Sequence, residues 1–432
     1  MTTETDETSR GGLSTDHSRA TADQAHSHGT GPSPESSRAS RPRSFAVDDF
    51  PLPTGREEEW RFTPVDKLAR VLADEPADGH LAWTFPDLPA GVTITEVAPD
   101  EAVARTVQAP GDRASAVAIK RAGGAMALTV APDTVLEQPL TVRLTGAGED
   151  ARGHVLIEVG ANAEAVVVVE HDGSATYSEL VSVSVGDNAS LNLVLLQLWE
   201  PGTVHAGEVV ARLGRDARLR GTVVTLGGDV VRLNTAATFA DEGASVDLHG
   251  LYFADAGQHL EHQLFIDHNA PRCRSRVTYK GALQGQDAHT VWVGDVLIRA
   301  AAEGTDTYEQ NRNLVLTDGA RADSVPNLEI ETGLIEGAGH ASATGRFDDE
   351  QLFYLRSRGI PELEARRLVV RGFFVDLVQA IGVPQIEARL LELVEAELAR
   401  SMSEFQDAGA PAVDETVENN AENRAENNVV TA

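Results

Sequence analysis

From about residue 125 to about 335 the apolar positions fall in short runs rich in β-branched residues: VLIEV, AVVVVEH, LVSVSV, LNLVLLQL, GTVVTL, SVDLHGLYF, RVTYKGAL, HTVWVGDVLI and NRNLVL. Almost none of this stretch has the period of a helix, and it predicts strands. Turn marks recur between the runs: Gly160-Ala-Asn-Ala163, Gly186-Asp-Asn-Ala189, Gly214-Arg-Asp-Ala217, Glu242-Gly-Ala244 and His268-Asn-Ala270. Their closing alanines stand 26, 28, 27 and 26 residues apart. A repeat near 27 residues, built of two strands and two turns, is what a β-solenoid needs, because each coil buries its apolar side chains against the coils above and below. An all-β sandwich is the rival architecture, but it has no reason to keep such a period. Proline is scarce in the region, which suits backbone groups that must pair between coils.

The flanks differ. In REEEWRFTPVDKLARVL, Thr63 is placed to cap a helix, Pro64 to open it, and Val65, Leu68, Ala69 and Leu72 to share one face, with Trp60 and Phe62 pinning its start. Residues 81–150 show short alternating stretches broken by Gly, Pro and Asp, and predict strands and turns. From Phe347 the pattern turns helical. Asp348 is placed to cap DDEQLFYLRSRG, which stops at Gly359. Pro361 opens a second helix that ends at Gly382. Pro384 opens a third, with Ile386, Leu390, Val394 and Leu398 on one stripe. These helices predict a hairpin or small bundle on the end of the solenoid. The expected organisation is a disordered tail over 1–44, a mixed N-terminal region over 45–124, a parallel β-helix over 125–346, a helical domain over 347–405 and a disordered acidic tail over 406–432.

Charge and composition narrow the function. The 432 residues hold 36 Lys+Arg against 67 Asp+Glu, a net of −31. That excess repels phosphate backbones and anionic lipid, so neither nucleic acid nor a membrane surface is expected as a partner. No apolar run reaches about 18 residues, the length of a membrane-spanning helix. The first residues do not combine a basic stretch with an apolar one, so no secretory signal is expected. One cysteine, Cys273, makes no internal disulfide, and the chain is expected to be cytoplasmic. None of the three lysines follows a glycine, which excludes a GxxxxGK[ST] phosphate loop and with it ATP hydrolysis by this chain. GxSxG and HExxH are absent too. No catalytic residue is expected.

Few side chains offer chemistry. His17, His26 and His28 are scattered in the N-terminal tail. Cys273 has arginines on both sides, which favour a thiolate, although an inert strand cysteine is the simpler expectation. His259 and His262 are three apart and fall on opposite faces of a strand, so they cannot share one ion. His268 and His289 are expected to be structural. Glu309, Gln310 and Asn311 form a polar patch in which stacked amides satisfy one another, and no chemistry is assigned to them.

The run from Tyr252 to Gly382 resembles the SufB/SufD family of iron–sulfur cluster assembly proteins. FIDHNAPRCRSRVTYKGAL (265–283), NRNLVLTDGARADSVPNLEI (311–330), GHASATGRFDDEQLFYLRSRGI (339–360) and the following AR…GFF (365–374) carry the resemblance, and EEWRFTP (58–64) resembles the family's N-terminal segment. The resemblance implies a parallel β-helix with a helical C-terminal part, in agreement with the repeat. With no cysteine after Cys273 the chain is similar to the SufD type, the partner of a SufB-type subunit and a SufC-type ATPase. That type commonly carries Cys, a small residue, His, then Gly-Ala-Thr near the last coil. His340 matches the histidine, while Ala338 stands at the cysteine position. The resemblance therefore implies a non-catalytic scaffold whose β-helix pairs edge-on with that of the SufB-type subunit. A transient iron–sulfur cluster would form at their interface with His340 as this chain's ligand. The ATPase would dock on the C-terminal helices, at Leu355, Phe373 and Phe374. Whether flavin binds is left open. A β-helix carbohydrate-active enzyme and a purely structural solenoid are the alternatives of other classes.

Overall fold

The computed structural model describes residues 38–347 and 349–409. After a 3-10 turn at Val65–Leu68 the chain forms α1 (Ala69–Leu72), β1 (Ala82–Thr84), β2 (Val92–Val97), α2 (Pro99–Arg105), α3 (Arg113–Arg121) and β3 (Ala125–Val130). The solenoid strands follow: β4 (Leu140–Val159), β5 (Glu164–Val185), β6 (Ser190–Trp199), β7 (Val204–Leu213), β8 (Arg218–Thr225), β9 (Val230–Phe239) and β10 (Ser245–Ala254). They continue as β11 (His259–His268), β12 (Arg274–Leu283), β13 (His289–Ile298), β14 (Asp306–Val315), β15 (Arg321–Ile330) and β16 (Gly337–Arg346). Three helices, α4 (Asp349–Ser357), α5 (Glu362–Gln379) and α6 (Pro384–Gly409), end the described chain.

The strands wind a parallel β-solenoid of about eight turns. One wall carries the first half of β5, then β6, β8, β10, β12, β14 and β16. The other carries the second half of β5, then β7, β9, β11, β13 and β15. On the first wall Glu164, Ser190, Arg218, Ser245, Arg274, Asp306 and Gly337 lie on one rung line, in steps of 26, 28, 27, 29, 32 and 31 residues. The period near 27 holds for three coils and then lengthens.

The turn marks have a backbone cause. Asn162, Asn188 and Asp216 take φ of 59°, 57° and 54°, the left-handed region that Asn and Asp tolerate. The next residue, Ala163, Ala189 or Ala217, turns inward and is fully buried. Its carbonyl accepts from the coil above: Ser190 N to Ala163 O at 2.8 Å, Arg218 N to Ala189 O at 2.8 Å, Ser245 N to Ala217 O at 2.9 Å and Arg274 N to Ala244 O at 3.0 Å. The fifth mark differs from expectation. Asp306 N donates to Cys273 O at 3.2 Å, so Cys273 takes the ladder place expected of Ala270, and Arg272 takes the left-handed one at φ 54°.

The stretch 81–150 also departs from the strands and turns expected of it, because it holds α2 and α3 as well. α3 begins at Asp112, whose carboxylate accepts from Ser115 N at 3.0 Å, and packs with the segment before it on the outer side of β5 and β7. β1 pairs antiparallel with β4, and β2 with β3, so the first coil ends in antiparallel strands. Thr63 is not a cap: its hydroxyl donates to Glu261 at 2.8 Å. Trp60 is buried with the Arg232 guanidinium 3.9 Å from its ring centre. Within the expected tail 1–44, Arg43 donates to Ala109 O at 3.1 Å and Ser44 N to Pro110 O at 3.0 Å. Residues 1–37, 348 and 410–432 lie outside the described residues, and with them His17, His26, His28, the Asp348 cap and most of the acidic tail.

The C-terminal helices do not extend the solenoid's end. They lie along the outer face of the first wall, where Val370, Phe374, Leu377, Val378 and Ile381 share one apolar cluster with Val168, Val194, Leu196, Val224 and Phe253. The stripe Ile386, Leu390, Val394 and Leu398 closes the same cluster from α6. Asn192 Nδ2 donates to Ile381 O at 2.8 Å and Lys280 Nζ to Phe373 O at 2.9 Å, tying the layer to the wall.

Candidate functional site at the open end of the solenoid

Among the described residues, nothing pairs with the outer edges of β15 and β16. The last coil therefore leaves a row of backbone donors and acceptors open on each wall. Register places His340 of β16 above Glu309 of β14 and Val277 of β12. Val277 belongs to the lumen core, so this row faces inward, and His340, exposed, stands on it at the rim. Ala338 is two positions earlier on the same strand, in register with Thr307 and partly buried against the core. Among the described residues no group of three or more His, Cys, Asp or Glu side chains is placed to hold a metal ion. His340 thus offers an imidazole at an open edge and not a closed metal cage.

Below the rim the lumen turns polar. Ser342 Oγ donates to Ser324 Oγ at 2.8 Å, and Ser324 Oγ to Asn311 Oδ1 at 2.8 Å. Asn311 Nδ2 donates to the Tyr252 hydroxyl at 2.9 Å, that hydroxyl to Asn313 Oδ1 at 2.8 Å, and Asn313 Nδ2 to Asn311 Oδ1 at 2.7 Å. Asn311 is satisfied by a neighbouring amide as the sequence suggested, but that amide is Asn313, and Gln310 of the expected patch meets Arg312 instead. Glu309 does not share in this. It is 1% exposed, and neither carboxylate oxygen has a hydrogen-bond partner. Burial, with the Asp295 carboxylate nearby, pushes its pKa up to about 8, against a weak opposite pull from the Asn327 N–H. Its alternation with polar neighbours on both sides gave the sequence no sign of burial.

The other candidates have structural explanations. Cys273 is 1% exposed and burial pushes its thiol up, not down. The flanking arginines are engaged elsewhere, Arg272 with Glu242 and Arg274 with Asp247 at 3.2 Å, so they do not favour a thiolate. His259 and His262 do point to opposite faces. His259 meets Glu261 at 3.0 Å outside, while His262 bonds Thr225 at 3.0 Å and stacks on Tyr252 inside. His268 meets Ser275 at 2.9 Å and His289 meets Asp323 at 2.7 Å. The sequence missed a second buried group in which Glu179 lies between His171 at 3.2 Å and His205 at 3.4 Å. Those histidines hold its carboxyl well below the usual range.

The three docking candidates separate. Leu355 and Phe373 are half-buried, and Phe373 packs beside the Lys280 ammonium. Phe374 is 0% exposed, inside the cluster between helices and wall, so it presents no surface. The apolar side chains that do face outward are Phe353 at 74%, Tyr354 at 56% and Leu368 at 40%. No helix among the described residues is long and apolar enough to cross a membrane.

Comparison with known proteins decides the family. Residues 142–373, more than half the chain, match the family model of the SUF system FeS cluster assembly SufBD core domain. The chain belongs to the SufBD family. An iron–sulfur cluster assembly SufBD family protein of Mycobacterium tuberculosis is 53% identical over 365 residues, spanning 82% of this chain and 91% of that protein. A SufBD family protein of Mycobacterium leprae is 49% identical over 363 residues. SufD of Escherichia coli is 28% identical over 245 residues, 56% of this chain and 57% of SufD, so the likeness to SufD is distant. As a SufBD family member the chain is an iron–sulfur cluster assembly protein, and the matched span runs from β4 into α5, covering both walls, the rim and the start of the helical layer.

Proposed function

We propose that this SufBD protein is a non-catalytic scaffold subunit of a cytoplasmic SUF complex. Its open edge pairs with that of a SufB-type subunit, and a nascent iron–sulfur cluster is held transiently at that junction before transfer. The observation that carries the proposal is the pair of unpaired edges, β15 and β16, with His340 at their rim. An open parallel edge is completed at low cost by another strand, because the new backbone bonds need no side-chain rearrangement. Imidazole is a competent ligand for iron. Ala338 adds no thiolate, so the remaining soft ligands come from the partner subunit and from sulfide. A SufC-type ATPase docks on the helical layer through Phe353 and Tyr354, with Leu355 and Phe373 at the margin of the contact. Phe374 supports that surface from beneath.

The test is co-expression with the SufB-type and SufC-type proteins, followed by native mass and by iron and sulfide content after anaerobic reconstitution. His340→Ala is expected to lower iron and sulfide per complex while leaving the native mass unchanged. Equal iron and sulfide in both complexes would remove the ligand role, and loss of association would make His340 an interface contact. Failure of the three chains to assemble would leave a purely structural solenoid.

A further inference from the structure

Glu309 stands apart from the other buried glutamates of the described chain. Glu170 meets Arg143 at 3.1 Å and Arg389 as well. Glu179 lies between two histidines and accepts from Tyr177 at 3.2 Å. Glu208 accepts from Ser115 Oγ at 2.6 Å and from Gly111 N at 2.9 Å. Glu261 meets Arg232 at 3.2 Å and His259 at 3.0 Å. Glu309 is as buried as any of them, yet no side chain pairs with it, and only the Asn327 backbone N–H lies toward its carboxylate, short of hydrogen-bond geometry. A carboxyl kept so costs stability, and one with only a structural task would be expected to have acquired a partner as the others have.

Its place suggests what that partner is. Glu309 is one rung beneath His340 on the inward row, in the last coil but one before the open edge. The carboxylate lies across the lumen toward Gly294 of the facing strand, but neighbouring parallel strands are about 4.8 Å apart, a gap that a glutamate side chain can span, so a side-chain rotation brings carboxylate and imidazole to one ion at the rim. The facing strand leaves room for this carboxyl. A Cβ on Gly294 would stand 2.4 Å from Glu309 Oε2 and 2.4 Å from the Trp292 ring, so the glycine makes room for the carboxyl and the indole together. We infer that Glu309 is a second metal-binding side chain of this subunit, joining His340 to hold a divalent transition metal at the open end of the solenoid. The inference rests on the proposed role of His340 and adds a hard oxygen donor to it. The pair suits ferrous iron, which accepts nitrogen and oxygen ligands together. It gives this subunit two ligands although its motif lacks the thiol.

The experiment titrates ferrous iron anaerobically into the full-length chain by calorimetry. Glu309→Gln, a neutral side chain of the same size, is expected to weaken binding by about 10- to 100-fold and to melt no lower than wild type. His340→Ala should weaken it comparably, and the double variant should be little worse than either single change. Wild-type affinity in Glu309→Gln with weakened His340→Ala overturns the inference and leaves the role of His340 standing. Wild-type affinity in both variants overturns both. No measurable binding by the wild-type chain overturns the two-ligand site, while a ligand role for His340 inside the assembled complex is judged separately by its iron content. Should Glu309→Gln fail to fold, Glu309→Asp, one methylene shorter, takes its place: weakened binding supports the inference and unchanged binding overturns it.

Discussion

Phe374→Ala separates a docking residue from a core residue. Phe374 is fully buried, and its cluster joins the helices to the strand residues Val194, Leu196, Val224 and Phe253. Phe373 lies beside it with ring centres 5.2 Å apart. Truncating a buried Phe to Ala costs about 3–5 kcal/mol, more where the surroundings cannot collapse into the space. Here one side of the space is a hydrogen-bonded β wall, so the upper half of that range is expected. With a urea m-value of about 2 kcal/mol/M, a loss of 4 kcal/mol lowers the midpoint by about 2 M. All four tryptophans, Trp60, Trp83, Trp199 and Trp292, precede the helical layer. Their fluorescence therefore follows the solenoid, while ellipticity at 222 nm follows chiefly the helices. The helical signal of Phe374→Ala should shift by the full amount, with the tryptophan signal shifting less if the layer opens first. Phe353→Ala, at an exposed position, should move either midpoint by no more than about 0.5 kcal/mol equivalent. A Phe374→Ala helical midpoint within about 0.5 M of wild type would refute the packing argument and return Phe374 to the surface.

Two further outcomes follow from burial inside the solenoid. Cys273→Ala should cost under about 1 kcal/mol, since alanine fills the equivalent place in earlier coils, and the native thiol should react slowly with a disulfide reagent; rapid labelling of the folded protein would contradict its burial. Burial lowers the pKa of His154 to about 4, His262 to about 3 and His268 to about 4, against about 6.5 in the unfolded chain. Below pH 6.5 the unfolded chain therefore binds more protons than the folded one, so stability falls as pH drops from 6.5 towards 4. Each histidine contributes up to about 2 kcal/mol of that loss at pH 5, and a urea midpoint that stays flat from pH 7 to pH 5 would contradict the buried neutral rings.

The solenoid was legible because one backbone requirement repeats. A left-handed residue followed by an inward small one must appear once per coil, and Asn162-Ala163, Asn188-Ala189, Asp216-Ala217 and Gly243-Ala244 meet it with the preferred residue types. The mark faded where the types changed. Arg272-Cys273 takes the same conformation with an unusual pair, and His268-Asn-Ala270 imitates the pattern out of register. α3 was hidden for another reason: it is only nine residues long and Ala114 to Ile119 are all buried, so its charged positions are confined to its two ends, Arg113, Lys120 and Arg121, and too few turns are present to show a period. The position of the helical layer was not legible either. Its apolar stripes specify burial but not the surface that receives them, and the outward Val168, Val194 and Val224 look in sequence like any strand buried on both faces. Of the candidate site, His340 stood out only through a family motif. Glu309 was hidden because TYEQNRNLV is polar on both alternating faces, and polarity on the inward face reads as solvent when the lumen itself is polar.

The two ends of the solenoid obey different rules. In a stack whose coils touch only their neighbours, each terminal coil lacks half of its contacts and must be covered or left open. At the first coil the chain adds antiparallel strands, β1 against β4 and β2 against β3. Towards the last coil the lumen changes instead from Val277 and Tyr279 to Glu309 and Asn311 one rung on, with Asn313, Ser324 and Ser342 beside them, while Leu283 is followed by the apolar Val315, so water at the rim meets amides and hydroxyls over much of what would otherwise be a bare apolar core. A polar lumen allows the subunit to persist with its edge open, while the unpaired backbone rows keep their capacity to accept another chain. Those two properties suit a separable interface from this chain's side: the rim is not so apolar that it must stay covered, and the pairing groups are already aligned. Under the proposed function, the same polarity that permits separation brings His340, with Glu309 beneath it, to the one place in the described chain where a shared ion can be reached from both subunits.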